Sequence, residues 1–271
     1  MSFAGKRALV VGGAKGIGLA TARRLCSAGG EVIVWDNDAA ALEGLDFLEA
    51  GARALVELTD RAAVAERIAG LRQAGTRLDA VIVAAGVHAT CPVEFMSDAL
   101  LDRTLEVNFT AHAKLVRDLI PLMAPDGRIV GVSSIAAAVG IPMSSAYAAS
   151  KAALELFYET LATELLPRRL WAVIVQPGNV NTGFNETGND FRGAAGDPLA
   201  EGYRKVVDSI HSRHGMPPEA VAEAICAALA ARRPRLHYVV GKNAAKANLA
   251  KRLLGRQGAA VMLRRHFGLG G

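Results

Sequence analysis

A strand that runs without a break into a glycine-rich turn, and from there into a helix, constrains this chain's fold more than any other stretch. Lys6-Arg7-Ala8-Leu9-Val10-Val11 is followed by Gly12-Gly13-Ala14-Lys15-Gly16-Ile17-Gly18 and then by helix-forming residues to Ala28. An apolar strand bounded in this way belongs inside a parallel sheet covered on both faces. The pattern recurs along the chain. Strands expected at 31–36, 53–58, 79–84, 127–132, 171–176 and 236–240 alternate with helices from 38, over 60–74, 97–123 and 145–166, and from 217. The expectation is an α/β fold, a doubly wound seven-stranded parallel sheet with helices on both faces.

Composition bounds the rest. Half of the 271 residues are apolar and 21% are charged, as in a globular chain able to bury a substantial core. The net charge of +5 is concentrated at one end. Residues 241–271 hold seven Lys/Arg and no acid, whereas the first 240 hold 24 basic and 26 acidic residues, so a nucleic-acid-binding core is not indicated. Cys26, Cys91 and Cys226 are few and widely spaced, as reduced thiols are, and no metal site is expected. The first residues carry no charged leader before an apolar run, and no stretch is long enough to span a bilayer. A cytoplasmic location is therefore expected.

In the glycine string, Gly12 permits a tight turn, Gly16 lets a diphosphate approach the backbone and Gly18 lets the helix pack on the strand. Asp36 ends the second strand eighteen residues after Gly18, where a carboxylate can bind both ribose hydroxyls of an adenosine. An added 2′-phosphate would meet that negative charge, so NAD(H) is expected over NADP(H), although Lys15 argues mildly the other way. Tyr147-Ala-Ala-Ser-Lys151 puts a phenol and an ammonium on one helix face. A cation about 4 Å from the phenol would lower its pKa by roughly three units, poising it for proton transfer.

With Gly12-x-x-x-Gly16-x-Gly18 and Tyr147-x-x-x-Lys151 in hand, the chain resembles the classical short-chain dehydrogenase/reductase family over about residues 5–241. The resemblance implies a Rossmann-type fold in one domain, 1–241, with 183–215 as a substrate-covering segment and 242–271 as a basic C-terminal helical extension. It also implies Asn108, Ser134, Tyr147 and Lys151 as catalytic residues, and reversible hydride transfer between a nicotinamide and a secondary alcohol or ketone. Tyr147 would exchange the proton, Ser134 would bond the same oxygen, Lys151 would hold the nicotinamide ribose, and Asn108 would hold a water behind Lys151. Pro177-Gly178-Asn179-Val180-Asn181-Thr182 is similar to the family's Pro-Gly segment, with Val180 and Thr182 meeting the carboxamide. Glu57 aligns with the family's adenine-binding aspartate, and Gly86 lets the cofactor lie close. Ile17, Leu58, Ala84 and Ala85 complete the implied cofactor contacts.

The chain departs from the family in reading Val83-Ala84-Ala85-Gly86 where Asn-Asn-Ala-Gly is usual, which removes a side-chain brace after the fourth strand. Walls expected from His88, Ala136, Met143 and Phe184, together with Ser134 and Tyr147, make a mainly apolar pocket; Ile141, Pro142 and Phe191 add to it. The segment from Pro234 resembles the branch with hydroxysteroid- and retinol-dehydrogenase-like members. Family members usually pair through two long helices, here near 100–123 and 145–166, so a homodimer or homotetramer is implied. Leu249, Leu253 and Leu254 among Lys246, Lys251, Arg252 and Arg256 leave two openings for the tail, a helix over the body or contact with anionic lipid. Other functions weighed are an inactive dinucleotide-binding regulator or scaffold, an NADP(H)-dependent biosynthetic ketoreductase, and a sugar-nucleotide epimerase or dehydratase.

Overall fold

A computed structural model describes residues 2–88, 90–182, 200, 203, 204, 206, 208, 215–267 and 269. Phe184, Phe191 and most of the 183–215 segment lie outside the described residues.

Strand residues of alternate parity face opposite ways, and the apolar pattern assigns each face its helices. Leu9, Val11, Val81, Val83, Ile129 and Ile174 pack against Val64, Ile68, Leu115, Leu154 and Tyr158 on one side. Val10, Val34, Ile82, Val130, Val132, Val173 and Val175 pack against Ala22, Leu25, Val221 and Ile225 on the other. Two separate cores follow, one per face.

The strands are β1 (Arg7–Val11), β2 (Glu31–Asp36), β3 (Arg53–Leu55), β4 (Leu78–Val83), β5 (Met123–Val132), β6 (Trp171–Pro177) and β7 (His237–Val240). All pair in parallel in the order β3-β2-β1-β4-β5-β6-β7. The chain reverses its winding between β1 and β4, and the carboxyl ends of those strands open a crevice there. The helices of the first half are α1 (Gly16–Ser27), α2 (Ala39–Glu43), α3 (Arg61–Gln73), α4 (Asp98–Leu105) and α5 (His112–Leu119). They are followed by α6 (Ile135–Ala138), α7 (Ser145–Leu165), α8 (Pro218–Ala230) and α9 (Lys242–Phe267). Asp38 and Asp60 cap α2 and α3 by accepting from Ala41 N, and from Ala62 N and Ala63 N.

The C-terminal extension is helical as expected, whereas β3 ends at Leu55, short of the expected 58, and the long helix before β5 is broken. The helix expected over 97–123 is interrupted by a π-helical stretch, Glu106–Ala111, which holds Asn108, and it ends in a 3₁₀ turn, Ile120–Leu122. Such an interruption rotates the side chains that follow it relative to a regular helix. The tail forms α9, bent at Gly255, whose φ of 64° and ψ of −175° are not helical. Ala247 and Ala259, one from each side of the bend, pack with Val139 just beyond α6. The extension therefore covers the body, with Leu249, Leu253 and Leu254 turned outward. No helix among the described residues is long and apolar enough to cross a membrane.

Candidate active site

The glycine turn is built so tightly that a side chain would not fit. A Cβ on Gly18 would lie 2.0 Å from Gly12 O, and one on Gly12 (φ +75°) 2.5 Å from Ala85 N. This closeness brings the start of α1 against β1 and the loop after β4. No side chain caps α1 among the described residues, so its first N–H groups face the crevice without a protein acceptor of that kind. The crevice is a cavity of about 760 Å³.

At one end of the cavity lie Gly12, Lys15, Gly16, Ile17 and Gly18, with Asp36, Glu57 and Leu58 beside them. Asp36 Oδ2 accepts from Ala14 N at 2.9 Å and Oδ1 from Asp38 N at 3.1 Å, so the carboxylate is held rigidly while still lining the cavity. Lys15 Nζ lies 2.5 Å from Asp38 Oδ2, and this bond raises the lysine's pKa. Glu57 accepts from Asn37 Nδ2 at 3.0 Å. Arg103 and Leu100 of α4 also line the cavity; sequence reasoning missed them because their helix is remote from every recognised motif.

In the middle are Ala84, Ala85 and Gly86. The brace that the asparagine-free sequence lacks is replaced. Ala84 N and Ala85 N both donate to Val11 O, at 2.8 and 3.1 Å. Asn108 clasps Val87, accepting from its N at 2.8 Å and donating to its O at 2.9 Å, and also donates to Ser150 Oγ at 3.0 Å. Asn108 is fully buried and does not line the cavity. Its side chain ties the loop after β4 to α7.

At the other end Ser134, Tyr147 and Lys151 converge with Pro177, Gly178, Val180 and Thr182. Ser134 lies two residues beyond β5 and caps α6, accepting from Ala136 N at 3.2 Å, and its hydroxyl also bonds Tyr147. Tyr147 and Lys151 come from adjacent turns of α7 and are nearly buried. Burial pushes the Tyr147 phenol up to about 12, against a smaller opposing pull from the Ser134 bond. The lowering by Lys151 expected from sequence is overturned: the ammonium lies 5.8 Å from the ring centroid and donates to Val132 O at 3.0 Å. Burial also pulls Lys151 down to about 8, with Glu155 opposing. Two buried groups thus sit with the phenol neutral and the amine close to titration.

Of the expected pocket residues, His88 lines the cavity with its ring edge-on to Tyr147, centroids 4.5 Å apart. Ala136 and Met143 do not line it. Ala136 faces Ser134 through its N–H, Met143 O holds Cys91 N at 2.7 Å, and Ile135 and Ile141 form the wall instead. Among the described residues no group of three or more His, Cys, Asp or Glu could hold a metal.

Behind the site His112 shares a hydrogen bond of 2.9 Å with Tyr158. Burial first, and Lys151 second, pull His112 down to about 3. The folded chain then refuses a proton that the unfolded chain takes near 6.5, so stability is lost as pH falls below 6.5, by up to about 1.4 kcal/mol per pH unit. The drop in melting temperature between pH 7 and pH 5 is expected to flatten in His112→Gln, and an equal drop in both proteins would contradict it.

A glycine cradle, an uncapped helix end and a Ser134–Tyr147–Lys151 group in one crevice agree with what comparison finds. The model of the short chain dehydrogenase family matches residues 6–193. The chain belongs to that family. A 3-ketodihydrosphingosine reductase of Bacteroides thetaiotaomicron is 28% identical over 239 residues, 86% of this chain and 87% of its own. A 2-dehydro-3-deoxy-L-rhamnonate dehydrogenase (NAD(+)) of a Sphingomonas species is 34% identical over 180 residues, 65% of this chain and 72% of its own. The crystal structure of a short-chain dehydrogenase from Streptomyces avermitilis matches with a TM-score of 0.81 at 27% identity, covering 100% of both chains. As a short chain dehydrogenase, this chain has the fold seen in two solved neighbours, one in complex with NAD and one with NADPH. The residues present fit such a dinucleotide: α1 offers uncapped N–H groups to a diphosphate, and Asp36, Gly86, Pro177 and Thr182 line the same crevice.

Proposed function

We propose that this chain is an NAD(H)-dependent oxidoreductase that interconverts a secondary alcohol and a ketone on a largely apolar substrate. The observation that carries the reading is the meeting of Ser134, Tyr147 and Lys151 in the cavity that also holds the glycine turn. Bound there, the nicotinamide supplies or accepts the hydride. Tyr147 holds the proton at its phenolic oxygen and passes it to the substrate oxygen, and Ser134 steadies that oxygen as charge develops. Lys151 supplies the positive charge behind them and would hold the ribose of a bound dinucleotide. A neutral phenol is the form that protonates the substrate oxygen when a ketone is reduced.

Two features support NAD(H). Asp36 lines the cavity beyond the glycine turn, and Lys15, the base nearest that turn, is already paired with Asp38. A 2′-phosphate would approach two carboxylates, with Lys15 already engaged by one of them. Asp36→Ala is expected to raise kcat/KM with NADPH about tenfold or more relative to NADH. An unchanged preference would overturn the assignment. For the substrate, Ile135 and Ile141 favour an apolar group, as does the name of the sphingosine-type relative; the sugar-acid relative points the other way. The test is a panel of ketones and secondary alcohols, followed by nicotinamide absorbance with each cofactor. Failure of every ketone and alcohol, with dinucleotide binding intact, would favour a regulator.

A further inference from the structure

Beneath the reacting groups lies a buried polar cluster that the chemistry above does not use. Glu155 follows Lys151 by one helical turn, so both face the sheet ends. Its Oε1 accepts from Ser133 Oγ at 2.8 Å and from Gln176 Nε2 at 2.7 Å, and lies 3.6 Å from His237 Nε2. The Glu155 side chain is only 15% exposed, and Gln176 is fully buried. Gln176 Oε1 in turn accepts from Asn248 Nδ2 of α9 at 2.6 Å.

Each partner adjoins a residue of the site. Ser133 precedes Ser134, and Gln176 precedes the Pro177-Gly178 turn. Lys151, on the same helix as Glu155, feels its charge. A buried carboxylate is costly unless its acceptors are filled, and here one oxygen takes two donors from two strand ends. Resting on the activity read above, we propose that Glu155 is a positioning residue for the reaction, fixing the ends of β5 and β6 against α7 and providing the anion that Lys151 faces.

The other groups near the pair are few. Tyr147 shares their helix, His88 borders Tyr147 from the loop after β4, His112 on α5 is held down by the charge of Lys151, and His237 comes from β7. The described contacts from β5, β6 and α9 are the neutral Ser133, Gln176 and Asn248. Glu155 is thus the carboxylate that opposes the effect of burial on Lys151. Its removal should let the ammonium lose its proton at lower pH. The alkaline limb of ketone reduction, where that charge disappears, should move down with it.

Glu155→Gln retains the volume and an acceptor for Ser133 and Gln176 while deleting the charge. The Lys151 titration would be followed by NMR in protein carrying ¹³C-labelled lysine, assigned with Lys151→Arg, beside the pH profile of kcat and KM. In Glu155→Gln the Lys151 midpoint and the alkaline limb are both expected to fall by about one pH unit. Glu155→Asp is expected to restore most of the shift. An unmoved midpoint in folded Glu155→Gln would overturn the proposal. If that variant does not fold, Ser133→Ala carries the test, with kcat expected to drop about tenfold at unchanged KM for the dinucleotide; wild-type kcat there would overturn it. The NMR titration needs no turnover, so an inactive wild type would end the reading of activity and leave this one standing or falling separately.

Discussion

Tyr147→Phe is expected to lower turnover by about three orders of magnitude while leaving NADH binding nearly unchanged. The ring is buried against His88, and phenylalanine keeps that packing. What disappears is the hydroxyl that bonds Ser134 and carries the proton. With burial holding the phenol at about 12, the proton sits on the oxygen near neutral pH. Lys151 points to Val132 O, and the Ser134 hydroxyl is a far weaker acid. Steady-state turnover with the best ketone, beside a fluorescence titration with NADH, separates loss of chemistry from loss of binding. A variant that turns over at wild-type rate would sink the proposed mechanism. A variant that no longer binds NADH would mean the phenol's role is structural.

How far these expectations could be reached from residues alone depended on the range of the interactions involved. β1, the glycine turn and α1 are legible because they are local: an apolar run, a turn without side chains and a helix follow one another within about twenty residues. The expected start of α7 at Ser145 and the meeting of Tyr147 with Lys151 rest on helical period, which spacing expresses directly. The sense of the Tyr147 shift was not legible. A four-residue spacing reports which groups share a face, but not how much water reaches them nor that a backbone carbonyl on β5 captures the ammonium. The bonding of Asn108 was hidden for a related reason. Its place in the pattern was readable, whereas its bonds to Val87 and Ser150 depend on a π-helical turn that no periodicity announces. The loss of the usual asparagines after β4 looked like a missing brace; the compensation comes from Val11 O and from Asn108, far along the chain. Glu155 went unremarked because its partners lie 21 and 22 residues away, in β6 and just past β5, a meeting that only the folded sheet brings about.

Gly18→Ala is expected to destabilise the protein by about 1–3 kcal/mol and to weaken dinucleotide binding by tenfold or more. The new methyl would sit 2.0 Å from Gly12 O, 2.8 Å from Gly12 C and 2.9 Å from Gly13 Cα. These are backbone atoms of the turn itself, so no rotamer change relieves the contact; α1 must move away from β1. That movement carries the helix's free N–H groups from the position where a diphosphate meets them, which is why stability and binding should fall together. Gly70, inside α3, provides the counter-test, since a Cβ there meets nothing within 4 Å. The same glycine-to-alanine change at Gly70 is expected to stabilise by about 0.5–1 kcal/mol, because an open helical position gains propensity and meets no obstacle. Opposite signs in the two melting curves, with binding altered only in the first, would mark the effect at Gly18 as steric. A Gly18→Ala protein that melts and binds as the wild type does would show that the turn has room to spare, and the cradle would lose its physical basis.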